Sequence, residues 1–166
     1  MSNPLAVAVV VAATVTAAVV DLRTRRVPNV LTMSVALVGV ALAAAGLGRV
    51  GIGASIAGCL IGLAIMLPGH LIGATGGGDV KLFASVGTLL GPTATFRAFI
   101  AMAIAGGVIA ILVAVRRGRL GVTLVGTTTL ISSIGSNVDA IENVQSDNRF
   151  AYAPAIAIGA ILAVLT

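Results

Sequence analysis

The stretch VVVAATVTAAVVDLRTRRVPN, residues 9–29, decides the class of fold, because an uncharged apolar run ends there in a cluster of charges and a proline. No charged side chain occurs in residues 1–20. A helix needs about 20 apolar residues to cross the roughly 30 Å hydrocarbon core of a bilayer. The first run is therefore long enough for a transmembrane helix. Its first charge, Asp21, follows the run instead of preceding it, which favours a retained helix over a signal peptide.

The composition of the whole chain indicates an integral membrane protein. Hydrophobic residues make up 58% of the 166 residues and charged residues only 9%, with a mean hydropathy of +1.16, whereas about a quarter of the residues of a soluble domain are charged. Charges divide the chain into four long uncharged runs and two shorter ones: 1–20, 27–48, 50–78, 98–115, 82–96 and 150–166. We expect an all-α, polytopic bundle of about six transmembrane helices, forming a single membrane-embedded domain over residues 1–166.

The distribution of basic residues predicts the orientation. With the N-terminus outside, six spans leave only Arg49 and Arg97 outside and place the other basic residues in the cytoplasm: Arg23, Arg25, Arg26, Lys81, Arg116, Arg117, Arg119 and Arg149. The net charge of +5 does not indicate nucleic-acid binding, because aromatic residues are only 3% of the chain. A single cysteine, Cys59, excludes a cysteine cluster for zinc within one chain. The bilayer is the expected partner, and no metal or cofactor is expected.

Proline and glycine mark the expected connections between spans. Pro28 discourages continuation of the first helix, and Asn29 is a candidate cap for the second. Residues 73–78 form a glycine-rich turn. The uncharged residues 120–138 favour an interfacial helix or a packed loop over a seventh span. Asp139 and Glu142, three residues apart, favour a solvated face over a metal site.

Two aspartates lie at the same predicted membrane surface. Asp21 follows the first span, and Asp79 lies in GATGGGDVKL, residues 73–82, just before the fourth span. Carboxylates at a membrane edge are costly unless they face a cavity or a partner, so they are candidates for function. Structural roles are the alternative for each acid taken alone: Asp21 could pair with Arg23 or Arg25, and Asp79 could cap a helix beginning at Val80.

Two adjacent carboxylates indicate acid–base chemistry, because a close pair of like charges tends to hold one proton. The ionised acid can take a proton from water attacking a peptide carbonyl while the protonated acid donates to the oxygen. The bare backbone of Gly76, Gly77 and Gly78 would let a peptide approach. The alternative is a small proton-coupled transporter. It is disfavoured because the acid motifs are not repeated and lie at one membrane edge, not at the midplane.

Both aspartate motifs resemble those of the type IV prepilin peptidase family of GxGD membrane aspartyl proteases. The segment DLRTRRVPN, residues 21–29, is similar to the family's first aspartate motif, and GGGDVKL, residues 76–82, is similar to its GxGD motif. A third segment, FAYAPAIAIG at residues 150–159, is similar to the proline-containing start of the family's final span. The resemblance implies that Asp21 and Asp79 are the catalytic pair, acting without a metal or cofactor.

The resemblance also implies a substrate and a location. Family members cleave the short basic leader of prepilins at the cytoplasmic face of the prokaryotic inner membrane, next to the glycine that precedes the hydrophobic pilin helix. In size the chain looks like short members associated with Flp or tight-adherence pili and with archaeal-type preflagellin processing. Larger members carry a methyltransferase domain with paired cysteines; a chain with one cysteine is expected to be a peptidase alone. The motifs specify neither one particular prepilin nor an oligomeric state.

The remaining residues of these motifs receive secondary roles. The resemblance implies that some of them support the loop or contact the substrate: Gly76, Gly77, Gly78, Lys81, Tyr152 and Pro154. For Lys81 the simpler prediction is an ammonium group that reaches the lipid headgroups. His70, the only histidine, is expected to have a structural role at the interface, because the proposed chemistry needs no imidazole.

Overall fold

The computed structural model describes residues 4–24, 27–72, 75–116 and 152–166. All regular secondary structure in these ranges is helical, which confirms the predicted all-α class. The six helices in chain order are α1 (Pro4–Thr24), α2 (Asn29–Ala44), α3 (Ile52–Leu71), α4 (Gly77–Leu90), α5 (Pro92–Arg116) and α6 (Ala153–Leu165).

Three of these helices are long and apolar enough to cross a membrane: α1, α3 and residues Pro92–Leu112 of α5, with 21, 20 and 21 residues. Two further helices, α2 and α6, are apolar but shorter. The structure is therefore that of a helical membrane bundle, as expected. The count of six spans and the external N-terminus stay predictions.

Several helix boundaries differ from those that the charges suggested. Helix α1 continues through Asp21 to Thr24, because a charged residue at a membrane edge does not by itself end a helix. Helix α4 begins at Gly77, three residues before the start at Val80 that the alternative role of Asp79 as a cap assumed, and it ends at Leu90. Gly91 stops it by adopting a φ of +76°, a left-handed conformation that favours glycine.

The predicted cap of α2 was also wrong. Pro28 is the N-cap residue, and no side chain makes a capping hydrogen bond there. Instead, the Pro28 carbonyl accepts from the backbone N–H groups of Leu31 and Thr32. The Asn29 side chain is therefore not used as a cap.

Helix α4 lies at the centre of the helices packed around it. It contacts α1, α2, α3 and α6, and every residue from Asp79 to Leu90 is buried except Lys81. The hydroxyls of Ser85 and Thr88 donate within the helix, each at 2.7 Å, to the carbonyls of Leu82 and Ser85. A helix of 14 residues is thus surrounded by its neighbours with these two hydroxyls satisfied internally.

Glycine allows α3 and α4 to cross at backbone contact. A Cβ atom on Gly58 would overlap the carbonyl oxygen of Gly87, and one on Gly87 would overlap that of Gly58. One turn further along α3, a Cβ on Gly62 would lie 3.1 Å from the Ala84 Cα. Small residues permit this close approach between helices in lipid. Gly58 and Gly62 therefore have a packing role in this bundle.

The last helix is held at its C-terminal end by an arginine from the α2–α3 connection. Arg49 Nη1 donates to the Val164 carbonyl at 2.8 Å, and the final carbonyls of a helix have no partner within the helix. A cation at this position also interacts favourably with the negative end of the helix dipole.

The chain divides into two compact units. Residues 1–105 and 151–166 form the first, and residues 106–150 form the second, of which the structure describes 106–116. The single domain over residues 1–166 stays a prediction. The predictions for residues 120–138, Asp139 and Glu142 fall outside the described residues.

The glycine contact between α3 and α4 can be tested with a matched glycine. Gly58→Ala and Gly87→Ala should each lower the stability of the detergent-solubilised protein by about 1–3 kcal/mol, because overpacked helices must separate. Gly53 lies in α3 like Gly58, but a Cβ there would have no neighbour within 4 Å. Gly53→Ala should therefore be neutral or stabilising by up to about 1 kcal/mol. Thermal unfolding midpoints measure the difference, and equal midpoints for the three variants would contradict it.

Candidate active site

Asp21 lies on the buried face of α1. It shares that face with Val10, Thr14 and Ala17, since residues three and four apart lie on the same side of a helix. Its side chain is only 5% exposed, whereas the neighbouring Arg23 is exposed. The helical period therefore directs the carboxyl group into the bundle and the arginine away from it.

The N-terminus of α6 meets Asp21. The backbone N–H of Ala153, the first residue of α6, donates to Asp21 Oδ2 at 3.4 Å. Tyr152 is the N-cap residue of α6, but its side chain makes no capping hydrogen bond. The carboxylate from α1 thus takes the place of a cap. The positive end of the α6 dipole stabilises a negative charge at this point.

Asp79 has a corresponding position at the start of α4. It is the third residue of the helix, after the N-cap residue Gly76, and a hydrogen bond joins its carboxyl group to the Gly76 backbone. This is one half of a capping box, in which the third residue reaches back to the N-cap N–H. Only 8% of the residue is exposed. Asp79 therefore occupies a fixed place at the helix entrance.

The two carboxyl groups lie close enough to interact. Asp79 precedes the apolar run that begins at Leu82 and lies outside the three helices long enough to span a membrane. Burial raises the pKa of its carboxyl group to about 6, with a further raising contribution from the negative charge of Asp21 and a lowering one from the Gly76 hydrogen bond. Desolvation and a like charge both disfavour ionisation. The structure thus brings together the two acids that the sequence singled out, and their catalytic role stays a prediction.

Tyr152 lies beside the same pair of acids. Burial, and then the negative charge of Asp79, raise the pKa of its phenol above the usual value, so the hydroxyl keeps its proton at neutral pH. Pro154 is the second residue of α6, a position where a missing N–H costs no intrahelical hydrogen bond. The segment at residues 152–154 therefore reaches Asp79 through its tyrosine and Asp21 through its backbone.

The three glycines before Asp79 are explained by close packing. A Cβ on Gly76 would lie 3.0 Å from Asp79 Oδ2, one on Gly77 would lie 3.3 Å from His70 Cε1, and one on Gly78 would lie 3.3 Å from Val27 Cβ. Each glycine therefore faces a different neighbour. Gly77 and Gly78 already belong to α4, so the turn is shorter than the sequence suggested.

His70 closes the turn that joins α3 to α4. Its Nδ1 lies 3.1 Å from the Thr75 carbonyl oxygen, at hydrogen-bond distance, and the Thr75 N–H donates to the Gly69 carbonyl, also at 3.1 Å. The side chain is exposed. His70 thus contacts the glycine motif itself, and this agrees with the structural role expected for it.

Lys81 reaches a neighbour that the sequence did not suggest. Its Nζ donates to Asn29 Oδ1 at 3.0 Å, although a lipid headgroup or the substrate was the expected contact. Asn29, Val27 and Ala153 were all missed as neighbours of the acid motifs. Ala153 approaches through its backbone N–H, and Val27 approaches through its Cβ and backbone atoms, so neither contact depends on a distinctive side chain. The position of Asn29 directly after Pro28 led to its prediction as a helix cap, not as a partner of Lys81.

Comparison with known families gives one result. The family model described as the type IV leader peptidase family matches residues 8–111, a range that includes Asp21, the glycine motif and Asp79. No match was found among curated proteins or solved structures.

The raised pKa of Asp79 predicts how Asp79→Asn changes stability with pH. The folded protein holds the Asp79 proton up to about pH 6, whereas the unfolded chain releases it near pH 3.8, the ordinary pKa of an aspartate. The wild type therefore loses stability between about pH 4 and pH 6. The variant should gain up to about 3 kcal/mol relative to the wild type across that range. Thermal unfolding in detergent measures it.

Asp139→Asn provides a matched control for this experiment, because the same chemical change is made at an acid outside both aspartate motifs. The curve of its unfolding midpoint against pH should stay parallel to the wild-type curve from pH 4 to pH 7. A curve for Asp79→Asn that also stays parallel would show that Asp79 is not a buried, coupled acid.

Proposed function

The chain belongs to the type IV leader peptidase family and is therefore a peptidase, and we propose that it is an aspartic endopeptidase that uses Asp21 and Asp79 to activate water. One observation supports this most strongly: two buried carboxyl groups from α1 and α4 interact electrostatically at the entrances of α4 and α6. Paired carboxylates with different surroundings are the requirement for acid–base hydrolysis of a peptide bond.

The surroundings of the two acids favour different roles. Asp21 accepts the Ala153 N–H at the N-terminus of α6, a contact that offsets part of the cost of burying its charge. Asp79, with its pKa raised to about 6, is the better holder of the shared proton. In the proposed mechanism Asp21 is the general base, and Asp79 is the general acid.

The reaction then proceeds in two proton transfers. Asp21 takes a proton from the water whose oxygen attacks the scissile carbonyl carbon, while Asp79 gives its proton to the carbonyl oxygen. When the tetrahedral intermediate collapses, the carbon–nitrogen bond breaks, Asp21 protonates the leaving amine and Asp79 recovers a proton from the hydroxyl group. Both carboxyl groups return to their starting protonation states, so the pair can turn over without another reactant.

The proposed substrate is a type IV prepilin-like protein of the Flp, tight-adherence or a related class, cleaved between its basic leader and its hydrophobic helix. Family membership supports a leader peptide as the cleaved segment. Tyr152 and Pro154, beside the acid pair, are the proposed substrate contacts on α6.

We further propose that the enzyme is a multi-pass protein of the prokaryotic inner membrane with its acid pair at the cytoplasmic side. The charges of the described residues support this orientation. Arg23 and Lys81 flank the acid pair, and Arg49 lies at the opposite end of α6. A topology of six spans would place the excess of basic residues of the whole chain on the side of the acids.

Conservative removal of either acid tests the mechanism. Asp21→Asn and Asp79→Asn keep the side-chain size but cannot exchange a proton, so each should reduce leader cleavage by at least about 10⁴-fold. The assay uses the full chain in proteoliposomes with a membrane-embedded prepilin and follows the shortened product by mass spectrometry. Asp139→Asn, the matched control, should cleave like the wild type.

Two results of this experiment would overturn the proposal. Substantial cleavage by either asparagine variant would exclude a two-aspartate mechanism. Proton flux through the wild-type proteoliposomes without any cleavage would favour the transporter alternative.

The glycine motif generates a second test. Gly76→Ala places a methyl group 3.0 Å from Asp79 Oδ2 and should displace the carboxyl group, lowering kcat by about 100-fold. Gly77→Ala meets only the exposed ring of His70, which can turn aside, so kcat should stay within about threefold of the wild type. Equal losses in the two variants would show that the motif requires flexible backbone instead of space.

A further inference from the structure

We propose that Asn29 and Lys81 are positioning residues: their hydrogen bond docks the segment between α1 and α2 onto the first turn of α4 and so holds Asp79 against Asp21. This inference rests on the proposed function. We call residues 27–29, the part of that segment which the structure describes, the docking segment.

Lys81 differs from the other residues of α4 in its exposure and in its hydrogen-bond partner. It is the only exposed residue of α4, and its Nζ donates to Asn29 Oδ1 at 3.0 Å. The two residues are 52 positions apart in the sequence. The bond therefore joins the beginning of α4 to the beginning of α2.

A second contact lies on the same face of α4. A Cβ on Gly78 would lie 3.3 Å from Val27 Cβ, 3.5 Å from the Val27 carbonyl oxygen and 3.6 Å from its nitrogen. Gly78 and Lys81 are three residues apart, so they lie on one side of the helix. The docking segment thus contacts this side of α4 twice, through Val27 at Gly78 and through Asn29 at Lys81.

Asp79 projects in a different direction. Successive residues of a helix are rotated by about 100°, so Asp79 faces away from the side that Gly78 and Lys81 share. The packing of the docking segment against Gly78 and its hydrogen bond to Lys81 fix the rotation of α4 about its own axis. The rotation in turn determines whether the Asp79 carboxyl group faces Asp21.

Both acids are connected to the docking segment. Asp21 lies in the last turn of α1, directly before the connection that leads to Val27. Asn29 lies at the other end of this connection, bonded to the helix that carries Asp79. The Asn29 carbonyl accepts from Thr32 Oγ1 at 3.0 Å, and no side chain caps α2, so the amide oxygen is available to Lys81.

An exposed hydrogen bond contributes little to global stability. A contact of this kind is therefore expected to act on the geometry of the reacting groups. Misplacement of a reacting group by about 1 Å can reduce a rate by about 100-fold. The expected signature is a loss of kcat with KM and the unfolding midpoint almost unchanged.

A double-mutant cycle tests the bond. Asn29→Leu removes the acceptor at similar size, and Lys81→Met removes the donor. Each should lower kcat for the prepilin by about 10- to 100-fold with KM within twofold. The double variant should be no slower than the slower single variant, because both changes break one interaction.

Conservative and matched variants accompany the cycle. Lys81→Arg can still donate to the amide oxygen and should recover most of the wild-type kcat. Ser34→Ala removes a hydroxyl of α2 that bonds only the Val30 carbonyl of its own helix and should leave kcat unchanged. Multiplicative losses in the double variant would overturn the inference. So would a rise in KM alone, or a loss in Lys81→Arg as large as that in Lys81→Met.

A second measurement does not depend on cleavage and so separates this inference from the proposed function. Asn29→Leu changes no charge, yet it should let Asp79 move away from Asp21. The loss of stability between pH 4 and pH 6 comes from the burial of Asp79 and from the negative charge of Asp21, which both raise the pKa of Asp79, and it should then become smaller. Tyr152 is the other titratable group beside Asp79, and Lys81 lies on a different side of α4. If wild-type cleavage fails but this change occurs, the positioning contact stands without the enzyme mechanism; an unchanged pH profile overturns the contact itself.

Discussion

Burying two carboxyl groups next to each other is the constraint on which the other features of this bundle depend. A carboxylate taken out of water is destabilised, and a like charge beside it adds to the cost. The protein offsets this cost with the N-termini of two helices. The start of α6 donates to Asp21 and the start of α4 encloses Asp79. The α6 terminus cannot move away without leaving Asp21 without the Ala153 donor, so α1 and α6 are joined beside the acid that α4 carries.

Helix α4 connects the acid pair to the rest of the bundle, because it packs against α1, α2, α3 and α6. Its burial depends on backbone contact between Gly58 and Gly87, and its entrance depends on three glycines that each approach a different neighbour. Glycine is unfavourable inside a helix by about 1 kcal/mol relative to alanine. Tertiary packing outweighs this penalty at Gly58 and Gly87, which lie inside α3 and α4. Position, more than flexibility, is what these residues provide.

Much of this arrangement follows from the sequence, but not all of it. Uncharged runs identify most of the helices, and the two motifs identify the acids. The packing of α1 shows that Thr14, Ala17 and Asp21 share its buried face. The start of α4 at Gly77 was not predictable, because it is decided by packing against distant residues. The donor at Ala153 is a backbone group, which any residue other than proline could supply. Asn29 was assigned to a local cap, whereas a lysine 52 positions away is its partner.

The shortness of the helices around the acid pair has a consequence for the surrounding lipid. Helix α6 has 13 residues and α2 has 16, which correspond to lengths of about 20 and 24 Å, well below the roughly 30 Å of a bilayer interior. Lipids thin next to such helices. The first residue of α6 contacts Asp21, and Arg49 holds the far end of the helix, so thinning would lower the headgroup layer toward the carboxyl groups. Hydrolysis consumes water, and a locally thin bilayer would bring water closer to the acid pair.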